Sequence, residues 1–274
     1  MAPAILGAHV TSTRDHIRSN LQSTVRDLQR RKARGRRGLA VIEGVRLVEE
    51  ALAAGLEFKG ALVAPELART TRGQALTAEL ASHAVPVEEV GSRMFSDLAG
   101  TDTPQGVLAI VQPRLWTLAE IPVGPLLVVD GVQDPGNVGT LIRTAHALGA
   151  AASLLLRGSS DPLNPKALRA AMGATFRHPV VQLDDGPFIA WARKHELTLW
   201  AAAADGVPLP RALDTRDSRK DLIAVIVGNE GAGIRPQLNE IAAQRVAIPL
   251  ARGAESLNVA VAAGILLYEV LRGR

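Results

Sequence analysis

Cysteine is absent from the sequence. Disulfides and thiolate metal sites are therefore excluded, and so is any transfer that proceeds through a cysteine adduct on a pyrimidine ring. Aromatic residues make up only 3%. That is too few for a nucleic-acid surface built on ring stacking, and the core must rest on Leu, Val, Ile and Ala. No apolar run reaches membrane-spanning length, and the first residues hold no signal-peptide-like segment. A cytoplasmic protein is expected. The six histidines, His9, His16, His83, His146, His178 and His195, fall without ligand spacing, so no metal site is expected.

What is present is ordinary for a globular chain. Of 274 residues 47% are hydrophobic and 21% charged, enough for two modest domains. Lys and Arg number 31 against 27 Asp and Glu, a net charge of +4, which favours a polyanionic partner.

Residues 1–20 are expected to start loosely ordered. A basic helical stretch follows from Leu21 to Gly35, with Arg26, Arg30, Arg31, Lys32 and Arg34, then Arg36 and Arg37. This run reads as an RNA backbone contact or as a solvated face. Short strands and helices alternate up to Val111, predicting a compact α/β unit over 1–112. Residues 113–125 are proline-rich and aperiodic, a candidate linker. From Leu126 apolar strands (LLVVD, SLLLRG, LTLWAAA, LIAVIVGNE, RVAIPL) alternate with helical segments. The series predicts an α/β domain over 126–274, a parallel sheet with helices on both faces.

Three strand-end loops stand out. In DGVQDPGNVGTLIRTAHALGA, Asn137 is the expected N-cap of a helix starting at Val138. Arg143 lies six residues on, on another face. The pair reads as a phosphate grip or as a plain capped turn. In GNEGAGI the glycines permit close approach of backbone to a ligand, and Glu230 is either a ligand or solvated. No GxGxxG dinucleotide fingerprint occurs. In IPLARGAESLNVAVAAGILLYEVLR, Ser256 is the expected cap of the last helix. Leu257, Val261, Ile265 and Tyr268 form an apolar stripe that core packing explains. Ala260, Ala262, Ala263 and Gly264 would admit a close backbone or a subunit partner.

In this order and spacing the three segments, with NPKALRAAMGATFRHPV between the first two, resemble the SpoU/TrmH family of RNA ribose 2'-O-methyltransferases. The N-terminal half resembles the ribosomal-protein-like substrate-binding domain often fused ahead of it. The resemblance implies S-adenosylmethionine as methyl donor, a C-terminal trefoil knot, and a homodimer with its active site at the subunit interface. Cofactor contacts are implied at Gly228, Asn229, Gly231, Ile248, Leu250, Ser256, Leu257 and Asn258. The implied catalytic set is Asn137, Arg143, Glu230, Ser256 and Asn258. The family role for Arg143 is that of a base. Because guanidinium groups keep their proton in proteins, a bidentate phosphate clamp is the sounder expectation. Ribosomal RNA is the expected substrate, and the alternatives are transfer RNA or a silent RNA-binding assembly factor.

Overall fold

The computed structural model describes residues 13–214 and 222–272, which divide into two compact units. The first takes the described residues up to Val48 together with Glu57–Gln112. The second takes Glu49–Leu56 and the described residues from Pro113 on.

In the first half of the chain the elements run α1 (Thr13–Leu28), α2 (Arg31–Arg37), β1 (Ala40–Glu43), α3 (Val45–Ala53), β2 (Glu57–Val63), α4 (Thr71–Ser82), β3 (Val87–Glu89), α5 (Ser92–Leu98) and β4 (Val107–Gln112). The strands form one sheet ordered β1-β4-β2-β3, antiparallel except for the β2–β3 pair. Leu21, Val25 and Leu28, at helical spacing on α1, pack with Val41, Leu62, Leu108, Ile110, Phe95 and Leu98.

The basic stretch is not one helix. Arg30 adopts an extended conformation, so α1 stops at Leu28 and α2 restarts at Arg31. The break folds Arg34 inward, where it is 2% exposed. Its guanidinium donates to the carbonyls of Leu28 and Gln29, both at 2.9 Å, partnering groups that a buried helix end leaves open. Arg34 is thus a structural tie, and its expected RNA contact is withdrawn. Arg36 and Arg37 both pair with Asp27. Arg30, Arg31 and Lys32 are exposed. The expectation of loose order at 1–12 lies outside the described residues, and the helix already runs from Thr13.

The second unit carries β5 (Leu126–Asp130), α6 (Pro135–Leu148), β6 (Ala152–Leu156), α7 (Pro165–Ala171), β7 (Val180–Leu183), α8 (Asp185–Lys194), β8 (Thr198–Pro208), α9 (Leu209–Asp214), β9 (Ile223–Gly228), α10 (Pro236–Ile241), β10 (Gln244–Ala247) and α11 (Val259–Leu271). All six strands are parallel, in the order β10-β8-β9-β5-β6-β7. The central strands are continuous apolar runs because both faces are covered. Leu127, Val129, Val225 and Val227 meet α6 and α11, while Leu126, Val128, Ala224 and Ile226 meet α8 and α10. Residues 113–125, read from sequence as a linker, are seated on this unit through Trp116, Leu118 and Ile121.

Strand order reverses beside β5, whose neighbours β6 and β9 are reached by opposite excursions of the chain. In open α/β sheets that reversal opens a crevice at the carboxyl ends of the strands. Here the crevice receives Asp130–Gly131, Arg157–Gly158 and Gly228–Asn229.

Candidate active site

The loop after β5 turns directly into α6. Pro135 occupies the first helical turn and Asp134 is the N-cap, accepting from Asn137 N at 2.9 Å. Lys166 Nζ, at 2.7 Å, and behind it the Asn137 N–H hold the Asp134 carboxyl below the usual carboxylate range. The expected cap at Asn137 is therefore corrected to Asp134. A proline suits the first helical turn, where its missing N–H loses no bond, and that sets the register. The correction frees the Asn137 side chain.

The last helix is corrected in the same way. Its N-cap is Asn258 and not Ser256, with Asn258 Oδ1 accepting from Ala260 N at 2.9 Å. That bond fixes the polarity of a chain of side chains. With Oδ1 engaged, Asn258 presents its NH2 and donates to Asn137 Oδ1 at 3.0 Å. Asn137 must then turn its own NH2 outward, and it donates to Glu230 Oε1 at 2.6 Å. Three loops distant in sequence are joined at one point, ending on a carboxylate at the surface.

The GNEGAGI loop is shaped from within. Asn229 and Gly233 exchange backbone hydrogen bonds, and Asn229 Oδ1 accepts from the N–H groups of Gly231 and Ala232, both at 2.9 Å. Its Nδ2 donates to Gly131 O at 3.0 Å. A Cβ at Gly228 would sit 2.4 Å from the Gly233 carbonyl carbon, so only glycine fits there. The loop is anchored by Arg235. Its backbone N–H and guanidinium reach Asp130, and the guanidinium also makes a bidentate bond to Asp185 at 2.7 and 2.8 Å. Burial opposes the charge on Arg235, and the bonds to the two carboxylates outweigh it, so its pKa is raised. Sequence gave no signal for this anchor, whose partners lie 105 and 50 residues away.

The other expected residues divide. Gly228 ends β9, and Ile248, Leu250, Ser256 and Leu257 follow β10, at the same end of the sheet. Strand β8 pairs with β9 only as far as Ala201↔Ile226 and then shifts register along β10. Val227 and Gly228 have no pairing partner in β8. Residues 249–258 are exposed, and within 249–257 the one backbone bond runs from Ala254 N to Ala251 O. Free backbone donors and acceptors beside the apolar Leu250 and Leu257 suit a nucleoside, whose base needs both. The donor set fits an adenosyl group. Arg143 is exposed and has no hydrogen bond or ion pair among the described residues. Six residues along a helix is about 9 Å and most of two turns from Asn137, so one chain does not bring the two side chains together.

The stripe Leu257, Val261, Ile265 and Tyr268 is not core. These residues are 37%, 50%, 37% and 54% exposed. The buried face is Val259, Ala260, Ala263, Leu266, Leu267 and Val270, because the small residues face α6: a Cβ at Gly264 would lie 3.3 Å from Thr144 Cγ2. Among the described residues no helix is long and apolar enough to cross a membrane. No group of three or more His, Asp or Glu is placed there to hold a metal ion.

A six-stranded parallel sheet with three polar loops joined at its carboxyl end defines an α/β domain with a built site at its switch point. Residues 124–268 match the SpoU rRNA Methylase family, and residues 23–109 match the MRM3-like substrate binding domain. The 23S rRNA (guanosine(2553)-2'-O)-methyltransferase RlmP of Bacillus subtilis is 36% identical over 250 residues, 90% of this chain and 93% of that protein. An AdoMet-bound rRNA methyltransferase from Sinorhizobium meliloti superposes with a TM-score of 0.79 at 31% identity, covering 96% of this chain and 97% of that one. The SpoU methyltransferase AviRb from Streptomyces viridochromogenes, in complex with AdoMet, gives 0.79 at 26% identity over 93% and 97%. The chain belongs to the SpoU rRNA methylase family.

Proposed function

We propose that this protein methylates the ribose 2'-hydroxyl of a guanosine in 23S-type ribosomal RNA, using S-adenosylmethionine. The observation that carries the reading is the side-chain series Asn258–Asn137–Glu230, which joins three loops at the sheet's carboxyl end, where Val227 and Gly228 have no partner in β8. Gly228, Ile248, Leu250, Ser256 and Leu257 would hold the adenosyl group, largely through backbone. Once bound, that cofactor supplies a methyl already activated on a sulfonium. The protein's work is then to orient the hydroxyl and remove its proton. Asn137, its amide orientation set by Asn258, positions the ribose. Glu230 keeps one carboxylate oxygen beyond its bond to Asn137, and that oxygen accepts the 2'-hydroxyl proton or orders a water that does.

Arg143 grips the RNA phosphate bidentately. Its distance from Asn137 along the helix is met if a second copy supplies it, so the active protein is a homodimer closed over the exposed α11 stripe. An apolar stripe on an outer helix face favours such a partner. The C-terminal segment from β9 to α11 is tucked as a trefoil knot in this reading, in keeping with α11 lying back against α6 after β10 at the sheet edge. Arg26, Arg30, Arg31, Lys32, Arg36 and Arg37 contribute charge to RNA binding in a cytoplasmic setting.

The test is methyl transfer from labelled S-adenosylmethionine to a 23S rRNA transcript, followed by nucleoside analysis. Wild type yields 2'-O-methylguanosine. Arg143→Ala lowers kcat/KM by about 100-fold or more while the cofactor Kd stays within twofold. Label on a base, or an Arg143→Ala variant as active as the parent, overturns the assignment.

A further inference from the structure

Transfer to a 2'-oxygen never touches the nucleobase, so a preference for guanosine must be read elsewhere. A cleft of about 720 Å3 lies on the other flank of the GNEGAGI loop, walled by the ends of β5 and β6 and the start of α10. Its volume is within the ~300–1,000 Å3 range of ligand pockets. It shares a wall with the proposed reaction centre. Gly131 and Asn229 line it and are bonded to each other, and Asn229 directly precedes Glu230. Of the residues expected to bind the cofactor only Asn229 lines it, so the cleft is not the place assigned to the adenosyl group.

The chemistry of the lining is selective. Arg235 is matched by Asp130 and Asp185, so that part of the wall is charge-balanced. Two carboxylates there disfavour a phosphate. The groups left without a partner among the described residues are the Arg157 guanidinium and the carboxamides of Gln133 and Gln237, all exposed to the cleft. One planar fork of donors with two amides is suited to the edge of a neutral heterocycle. A guanidinium donates to a pair of acceptors, which guanine offers in O6 and N7. Guanine's N1–H and N2 amine require acceptors, which the amide oxygens provide. Adenine would turn its N6 amine toward Arg157, donor against donor. Gly131 and Gly158, with no side chains, leave a flat floor beneath.

We propose that this cleft receives the guanine of the target nucleotide, turned out of the RNA, with Arg157 reading O6 and N7 and Gln133 and Gln237 accepting from its N1 and N2 donors. The proposal rests on the ribose methylation reading above. A splayed-out base is how single-stranded RNA is commonly read.

The experiment compares 23S rRNA transcripts carrying guanosine or adenosine at the mapped position, with wild type, Arg157→Leu and Arg157→Lys. Wild type prefers guanosine. Arg157→Leu lowers kcat/KM on the guanosine transcript by about 10- to 100-fold, leaves the adenosine transcript unchanged and does not alter the cofactor Kd. Arg157→Lys, which keeps the charge without the fork, recovers little. Equal losses on both transcripts with a shallower salt dependence identify Arg157 as a phosphate contact and overturn the proposal. So do a wild type indifferent to the base and an Arg157→Leu variant that discriminates as before. If wild type makes no 2'-O-methylated nucleoside, it is the methylation reading that fails, an outcome separable from these.

Discussion

Acidification should remove about 2 kcal/mol of stability through one side chain, His178. It is 2% exposed, and its Nε2 lies 2.9 Å from Ser153 Oγ. Burial, with a smaller contribution from His146 whose ring centroid is 5.8 Å away, lowers its pKa to about 4. In the unfolded chain the ring titrates near 6.5. The stability it contributes is therefore complete above about pH 6.5 and lost as pH falls toward 4, because the unfolded state takes up a proton that the native state refuses. At about pH 5 the gap is roughly 1.5 pH units, or ~2 kcal/mol at 1.36 kcal/mol per unit. All three tryptophans, Trp116, Trp191 and Trp200, lie in the second unit, so urea unfolding followed by tryptophan fluorescence reports that unit alone. Between about pH 7.5 and 5 wild type should lose ~2 kcal/mol more than His178→Gln, whose amide still reaches Ser153 but does not titrate. Parallel stability curves for the two proteins would refute the reasoning.

Two further outcomes follow from other parts of the fold. Arg235→Met leaves the fully buried Asp130 carboxylate without its cation and should destabilise the same urea transition by about 3–5 kcal/mol. Adding Asp130→Asn should restore part of that, and a loss below ~1 kcal/mol would mean Asp130 is satisfied otherwise. Val261→Glu places a charge on the exposed α11 stripe. On the proposed homodimer reading, sedimentation should show wild type as a dimer and the variant as a monomer with the urea midpoint little changed; a monomeric wild type, or a variant as dimeric as wild type, excludes that face as the interface.

The parallel sheet was legible because strands buried on both faces must be apolar throughout, as Leu126–Val129 and Ile223–Val227 are. Asn137, Glu230 and Asn258 were legible as a set through the resemblance of their three segments to one family. What the sequence could not convey was which neighbour each group would choose. Asp134 and Asn137 are both good caps, and Pro135 decided between them. Ser256 and Asn258 are equally suited, and the helix register decided. On α11, apolar residues surround the axis, so periodicity could not tell the face against α6 from the face left outside. Arg34 looked like its basic neighbours until the break at Arg30 turned it under α1. Arg235 found two acids that no local pattern links to it.

The bond from Asn258 to Asn137 spans 121 residues. Asn137 receives the donor that turns its amide toward Glu230 only from a segment far along in sequence. An intermediate with β5 and α6 folded but Asn258 not yet in place would leave the Asn137 amide free to rotate, so the orientation of this side chain depends on the finished fold of the second unit.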